Sequence, residues 1–371
     1  MRANRYLAAI VGAALAVSFA LPGAVSAQDE KYMQGYNAFQ SRNFAQAETI
    51  FREVCAEYSD AGAPWGWCHM MLGATLASQR VVGKRQEALV QLEIAEDLVA
   101  EDSDRYIVYS TIANIHLLNQ NWDQAISAAD QAARFGGADQ QGGIAKTKGQ
   151  AYYQQGRYPQ AVTELTKAVA ARSGEANLHA WLGRSLYETG DKAKALNELT
   201  TAAQIDRSNK VALYFAARIQ YENGNYRQAV LLGERAIQAH PQDPMIRDQL
   251  GLAYLVEERY DEAIRQFQVV IADRPNNASA IYNLGQAYQA MENWGRAAEQ
   301  FQKAQNLFPA GSANQGKLLY DLGVALEWLG RNPDALRAFR DSAAINENED
   351  VLDAIDRVQE KIRRGKGGGG R

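Results

Sequence analysis

Between Pro244 and Pro309 the apolar and small residues of the chain recur at a fixed offset. Leu250, Gly251, Tyr254, Ala263, Phe267 and Pro275 return 34 residues later as Leu284, Gly285, Tyr288, Ala297, Phe301 and Pro309. Within each copy the apolar positions stand at i, i+3 and i+4 spacings, which marks amphipathic helices. The pattern predicts two antiparallel helices per copy. A small residue midway along the first (Gly251, Gly285) and another early in the second (Ala263, Ala297) let the two backbones approach, and the aromatic residues fill the space beside that contact. Apolar faces this wide cannot be buried by one pair of helices, so neighbouring copies must stack.

The register runs well beyond this segment. Gly149, Gly183, Ala217, Gly251 and Gly285 follow one another every 34 residues, and Ala161, Ala195, Ala229, Ala263 and Ala297 keep step. Gly156, Gly190, Gly224 and Gly330 stand where a first helix must stop, as left-handed capping residues do. Pro159 and Pro333 open second helices, where a missing N–H costs nothing. Earlier copies are looser. One holds Gly35, Ala47 and Phe51; the next holds Leu72, Gly73, Leu76, Ala88, Leu92 and Ala95, with three extra residues around 81–83. A third has Ala113 in place of glycine, followed by Ala125, Ala129 and Ala132. A ninth, after a longer connection over 310–315, holds Leu322, Gly323, Leu326, Ala335 and Phe339. Beyond it Val351, Leu352, Ile355, Val358 and Ile362 form one stripe opposite Asp353, Asp356, Arg357, Glu360 and Lys361. This predicts a capping helix over 350–364, followed by a glycine-rich, disordered tail over 365–371.

Leu-Gly, a tyrosine three residues on, then Ala, Phe and Pro at a period of 34 resemble the tetratricopeptide (TPR) repeat. The resemblance covers roughly residues 30–345 and implies an all-α, right-handed superhelical solenoid of about nine helix-turn-helix repeats over 28–349. The chain departs from the family pattern in four places, two of them being the weak anchors of the third copy and the long connections before the second and ninth. The tryptophan usual early in the first helix is absent, and the closing proline appears only as Pro241, Pro275 and Pro309.

Composition adds a compartment and removes several functions. Arg2 and Arg5 precede an apolar run from Leu7 to Leu21, then Pro22 and the small residues Val25-Ser26-Ala27. This reads as a signal peptide over 1–27, which predicts an exported, periplasmic protein with no integral membrane segment after cleavage. Without Arg2 and Arg5 the chain carries 37 basic and 43 acidic residues, so no basic field favours nucleic acid. His69, His116, His179 and His240 lie in different repeats and form no metal-ligand or HExxH pattern. No phosphate loop or GxSxG elbow is present, and neither catalysis, a metal nor a cofactor is expected. Cys55 near the end of one helix and Cys68 near the start of the next are brought together by the repeat geometry. They read either as a disulfide, constraining the unfolded chain by about 3 kcal/mol, or as two buried thiols packed as small hydrophobes.

The resemblance also implies a binding face. In this family the second, fifth, ninth, twelfth and thirteenth positions of each repeat point from the first helices into a groove. Here they hold Tyr153, Tyr187 and Tyr221 at the twelfth, Tyr214, Tyr282 and Tyr320 at the fifth, Arg184 and Arg218 at the ninth, and Trp328 closing the row. Tyr32, Tyr36 and Trp67 do the same near the N-terminus. Tyrosine and arginine give large, directional contact area, though tyrosines at helical spacing also fill space between helices. The family's groove for a C-terminal carboxylate uses lysines and asparagines in three consecutive repeats, and Lys146 and Asn114 stand here in isolation. The expected role is a non-enzymatic scaffold or adaptor of the bacterial cell envelope, holding a protein or peptide segment. The alternatives are a carbohydrate-binding module for exopolysaccharide or peptidoglycan, and a membrane-associated assembly subunit using the basic C-terminal residues Lys361, Arg363, Arg364, Lys366 and Arg371.

Overall fold

A computed structural model describes residues 27–57, 63–79 and 81–367. The signal-peptide reading therefore falls, all but its last residue, outside the described residues, as do residues 368–371 of the glycine-rich tail. The described chain is all-helical, with nineteen helices in paired packing, and divides into two compact units after Asp206. The first unit holds five hairpins: α1 (Ala27–Gln40) with α2 (Phe44–Glu57), α3 (Ala63–Ser78) with α4 (Val82–Leu98), α5 (Asp102–Leu118) with α6 (Trp122–Phe135), α7 (Ala138–Gln154) with α8 (Tyr158–Ala171), and α9 (Ala176–Glu188) with α10 (Lys192–Ile205). The second holds four: α11 (Lys210–Glu222) with α12 (Tyr226–Ala239), α13 (Pro244–Val256) with α14 (Tyr260–Asp273), α15 (Ala278–Ala290) with α16 (Trp294–Gln305), and α17 (Ala313–Trp328) with α18 (Asn332–Ile345). The chain then runs into α19 (Glu349–Gly367). Within each unit a second helix packs on the first helix of the next hairpin, and successive first helices touch one another, so the first helices form one continuous layer.

The glycines act differently from the sequence expectation. A Cβ on Gly149 or Gly183 would stand 2.6 or 2.7 Å from the Cγ of Leu165 or Leu199. One on Gly251, Gly285 or Gly323 would stand 2.6, 2.5 or 2.7 Å from the ring of Phe267, Phe301 or Phe339. What the glycine admits is a large side chain four residues beyond the helix-two alanine, more than the alanine itself. Where the first helix carries alanine, the register position on the second helix is also small, Gly233 for Ala217 and Ala129 for Ala113, and a Cβ on Gly233 would stand 2.9 Å from Leu250 of the next hairpin. Beside Gly233 the space is filled by Leu250 from α13, so there the close-packed interior is completed between hairpins rather than within one.

The turns inside the hairpins also share one device. Gly156, Gly190, Gly224 and Gly330 adopt positive φ, and Arg42, Gln120, Glu258 and Glu292 take the same conformation at equivalent places without the glycine that tolerates it. Each is followed by a residue whose N–H reaches back five positions, as Arg157 to Tyr152 and Asn293 to Tyr288 do at 2.9 and 2.8 Å. This closes the helix with a Schellman-type bond. At the C-terminal end α19 buries Val351, Ala354 and Val358, with Ile355 and Ile362 packed beside them. Leu352, assigned to that stripe from the sequence, is 42% exposed, because it is rotated one residue off the buried face.

Candidate functional site

The row of first-helix positions is divided between the units, and each part has its own chemistry. In the first unit Tyr153 is only 6% exposed. Its ring packs 5.4 Å from Trp181 and 5.2 Å from Tyr158, the Arg184 guanidinium lies 4.4 Å over its face, and its hydroxyl donates to Glu188 Oε1 at 3.2 Å. Burial pushes this phenol up to about 12, opposed by the Arg184 charge. Tyr153 and Arg184 thus bind α7 to α9 rather than forming an open contact surface, and Tyr187 is half-buried. Nearer the N-terminus Tyr32 is buried against Phe51, and Trp67 Nε1 donates to Asp104 Oδ2 at 2.7 Å.

In the second unit Tyr214, Tyr221 and Tyr320 are half-buried, and Arg218 pairs with Glu222 one turn along its own helix at 3.0 Å. Tyr282 donates to Asp321 Oδ2 at 2.7 Å and accepts from Gln286 Nε2 at 2.9 Å, with its ring against Phe301 and Phe308. Trp328 is 67% exposed and stacks on Trp294 at 5.1 Å, with ring planes 8° apart. Many polar bonds in both units join first helices of successive hairpins: Thr147 to Asn114, Asn283 to Asp248, and Tyr282 to Asp321.

Two carboxylates in this layer of the second unit are disfavoured as anions. Burial raises Asp321, opposed by the Tyr282 hydroxyl, and burial raises Asp248, opposed by the Asn283 amide. Glu327, one helix-face away on α17, is held low by its hydrogen bond to Arg357, which lies 2.9 Å away, with Lys361 at 2.7 Å adding to the effect. Asp321 opens into a cavity of about 280 Å³ between α15, α17, the end of α18 and the start of α19. Sequence reading missed this cavity, because Asp321 follows Tyr320 at a sixth position, outside the positions expected to point into the groove, and no spacing announces its meeting with the residues after Ile345.

The remaining candidates are structural. Cys55 and Cys68 are joined with their Cα atoms 5.5 Å apart, tying α2 to α3. With His69 they are the described Cys, His and carboxylate group close enough to suit a metal, but bonded sulfurs supply no thiolate, and His69 Nδ1 is engaged by Gln91 at 2.6 Å. His179 bonds Glu198 and the Ser173 carbonyl, and His240 bonds the Ser208 carbonyl. None of these imidazoles is set beside a hydroxyl or thiol nucleophile in the bonds described.

The comparisons point to one repeat family. Family models described as tetratricopeptide repeats match residues 146–210, 193–250 and 279–310, and one described as TPR repeat matches 257–292. No curated protein matches the chain. Among solved structures it is similar to the C-terminal part of a TPR repeat-containing protein from Cytophaga hutchinsonii, at 19% identity and a TM-score of 0.53, over 66% of this chain and 99% of that one. It is also similar to a tetratricopeptide repeat protein from Parabacteroides merdae, at 17% identity and a TM-score of 0.48, over 69% and 99%. A third is YrrB, described as a TPR protein with an unusual peptide-binding site, at 20% identity and a TM-score of 0.46, over 53% and 97%. At these identities the likeness is one of fold.

Proposed function

Because the chain is a tetratricopeptide repeat protein, we propose that it is a non-enzymatic scaffold of the bacterial cell envelope that holds a segment of another protein against its first-helix layer. The observation that carries this reading is the first-helix face of the second unit, where half-buried tyrosines, the exposed Trp328 and the cavity at Asp321 lie along one layer. Aromatic side chains fixed by packing present contact area at little entropic cost. Tyr282, bound into this layer, preorganises it, as Tyr153 does in the first unit; Tyr214, Tyr221, Tyr320 and Trp328 are the contact residues. Export is supported by the apolar run at residues 7–21 and by the Cys55–Cys68 bond, which suits an oxidising compartment. Among the described residues no helix is long and apolar enough to cross a membrane.

The test is crosslinking mass spectrometry in cells with the full chain, beside a variant carrying Tyr221→Ala, Tyr320→Ala and Trp328→Ala. The native chain should capture a defined partner through the first helices of the second unit, and the variant, with unchanged circular dichroism, should lose it. A partner retained by the variant, or crosslinked through second helices only, sinks the reading. The Trp294–Trp328 stack favours one second reading, a platform for a sugar ring. Glycan pull-down abolished by Trp328→Ala, with no protein captured, would establish it. The membrane alternative gains less, since Lys361 is spent on Glu327 and Arg364 on Glu360.

A further inference from the structure

Two acidic side chains on α17 meet the same problem in opposite ways. The Glu327 side chain is 7% exposed and receives Arg357 and Lys361 from α19. Asp321 is also withdrawn from water, yet its hydrogen-bond partners are a phenol and an amide, and Lys317 acts on its charge without a salt bridge among the described contacts. Removing a carboxylate from water without a counter-charge is costly, so the fold keeps a cost at Asp321 that it removes at Glu327. The charged lining of the adjoining cavity is Asp321 and Asp350 against Lys317, an acidic balance, and the Tyr282 and Tyr320 phenols form part of the wall. Aromatic faces attract cations. At about 280 Å³ the cavity takes the end of a long side chain rather than a folded element.

We infer that this cavity is a pocket for the ammonium or guanidinium head of a lysine or arginine side chain presented by the partner. The inference rests on the reading that the first-helix layer holds a partner segment. The incoming cation supplies a directly paired counter-charge in addition to the unbridged charge of Lys317, Tyr282 keeps the carboxylate oriented through its bond to Gln286, and Asp350 at the start of α19 guards the mouth. Lys317 opposes entry and sets the affinity below its maximum. The partner's anchor is therefore basic, the reverse of the acidic tail that a lysine and asparagine groove would take.

The pocket is testable without the partner. Titrate the full-length chain with N-acetyl-argininamide, N-acetyl-lysinamide and the neutral arginine isostere N-acetyl-citrullinamide, following saturation-transfer NMR and a crystal soak. The cationic probes should bind in the cavity at least tenfold more tightly than the citrulline probe. Asp321→Asn, with an unchanged melting temperature or a higher one, should abolish that preference, and Lys317→Gln should strengthen cation binding severalfold. Equal binding of arginine and citrulline probes, preference for an acidic probe, or no binding by any probe overturns the inference. Cation-selective binding in the cavity with no protein crosslinked in cells leaves the pocket standing and removes the scaffold reading. Partner capture with no cation preference does the opposite.

Discussion

Gly285→Ala tests the packing rule at its tightest point. The added methyl would stand 2.5 Å from Phe301 Cε1, a ring with no solvent exposure that also touches Tyr282, so neither side can retreat cheaply. Overpacking of this kind costs about 1–3 kcal/mol, and alanine returns about 1 kcal/mol of helix propensity, for a net loss of about 0–2 kcal/mol. Phe301→Ala alone should cost about 3–5 kcal/mol. In the double variant the new methyl occupies space the ring has left, so its cost should fall short of the sum by at least about 1 kcal/mol. Repeat arrays need not unfold in one step. Urea titration by circular dichroism should therefore be paired with hydrogen-exchange mass spectrometry over residues 278–305, where the local opening free energy is read directly. A clearly stabilising Gly285→Ala, or strict additivity with Phe301→Ala, would refute the idea that the two positions share one volume.

Three further outcomes follow from the same structure. Asp321→Asn should stabilise the second unit near neutral pH: the folded carboxyl titrates above its ordinary 3.8, so the native state binds more protons between these values and loses stability as pH rises through them. The gain over the native chain should vanish below about pH 4 in pH-dependent urea melts. Glu327→Gln should do the reverse, because its lowered carboxyl contributes stability above 4.5 that is lost as pH falls; hydrogen exchange should show α19 opening at neutral pH in the variant, and unchanged protection there would dismiss the role given to Arg357 and Lys361. Glu292→Gly, at a φ of 56° in an exposed turn, should raise stability by about 0.5–1 kcal/mol, whereas the same change at Glu299, mid-helix, should lower it by a similar amount.

The hairpin array was legible because its anchors answer to packing alone: Ala161, Ala195, Ala263 and Ala297 are buried in the same role, and Gly156, Gly190, Gly224 and Gly330 each cap a helix in the left-handed conformation. The role of Gly233 was hidden, because read down its own column it looks like a weakened anchor, and only the close approach of Leu250 from the next hairpin shows what the missing side chain admits. At the first-helix layer the sequence placed aromatic residues at the right positions without saying which were spent. Tyr153 and Tyr282 are bonded to residues about one repeat away, and the register of those bonds shifts from hairpin to hairpin. Asp321 was invisible for the same reason, since its meaning depends on being held by a phenol where Glu327 is held by salt bridges to Arg357 and Lys361.

The shared volume of the facing positions also limits how such a chain can be recombined. Two columns that must change together form one heritable unit, and here they lie on opposite arms of a hairpin. A crossover between hairpins would pass both members on intact. One placed in the turn, joining α11 to α14, would set the methyl of Ala217 against the ring of Phe267, and one joining α13 to α12 would leave Gly251 without the Phe267 ring that fills the space beside it. Whole hairpins are therefore the pieces by which this array can lengthen, shorten or exchange its binding face, while a cut through a turn separates residues that only work as a pair.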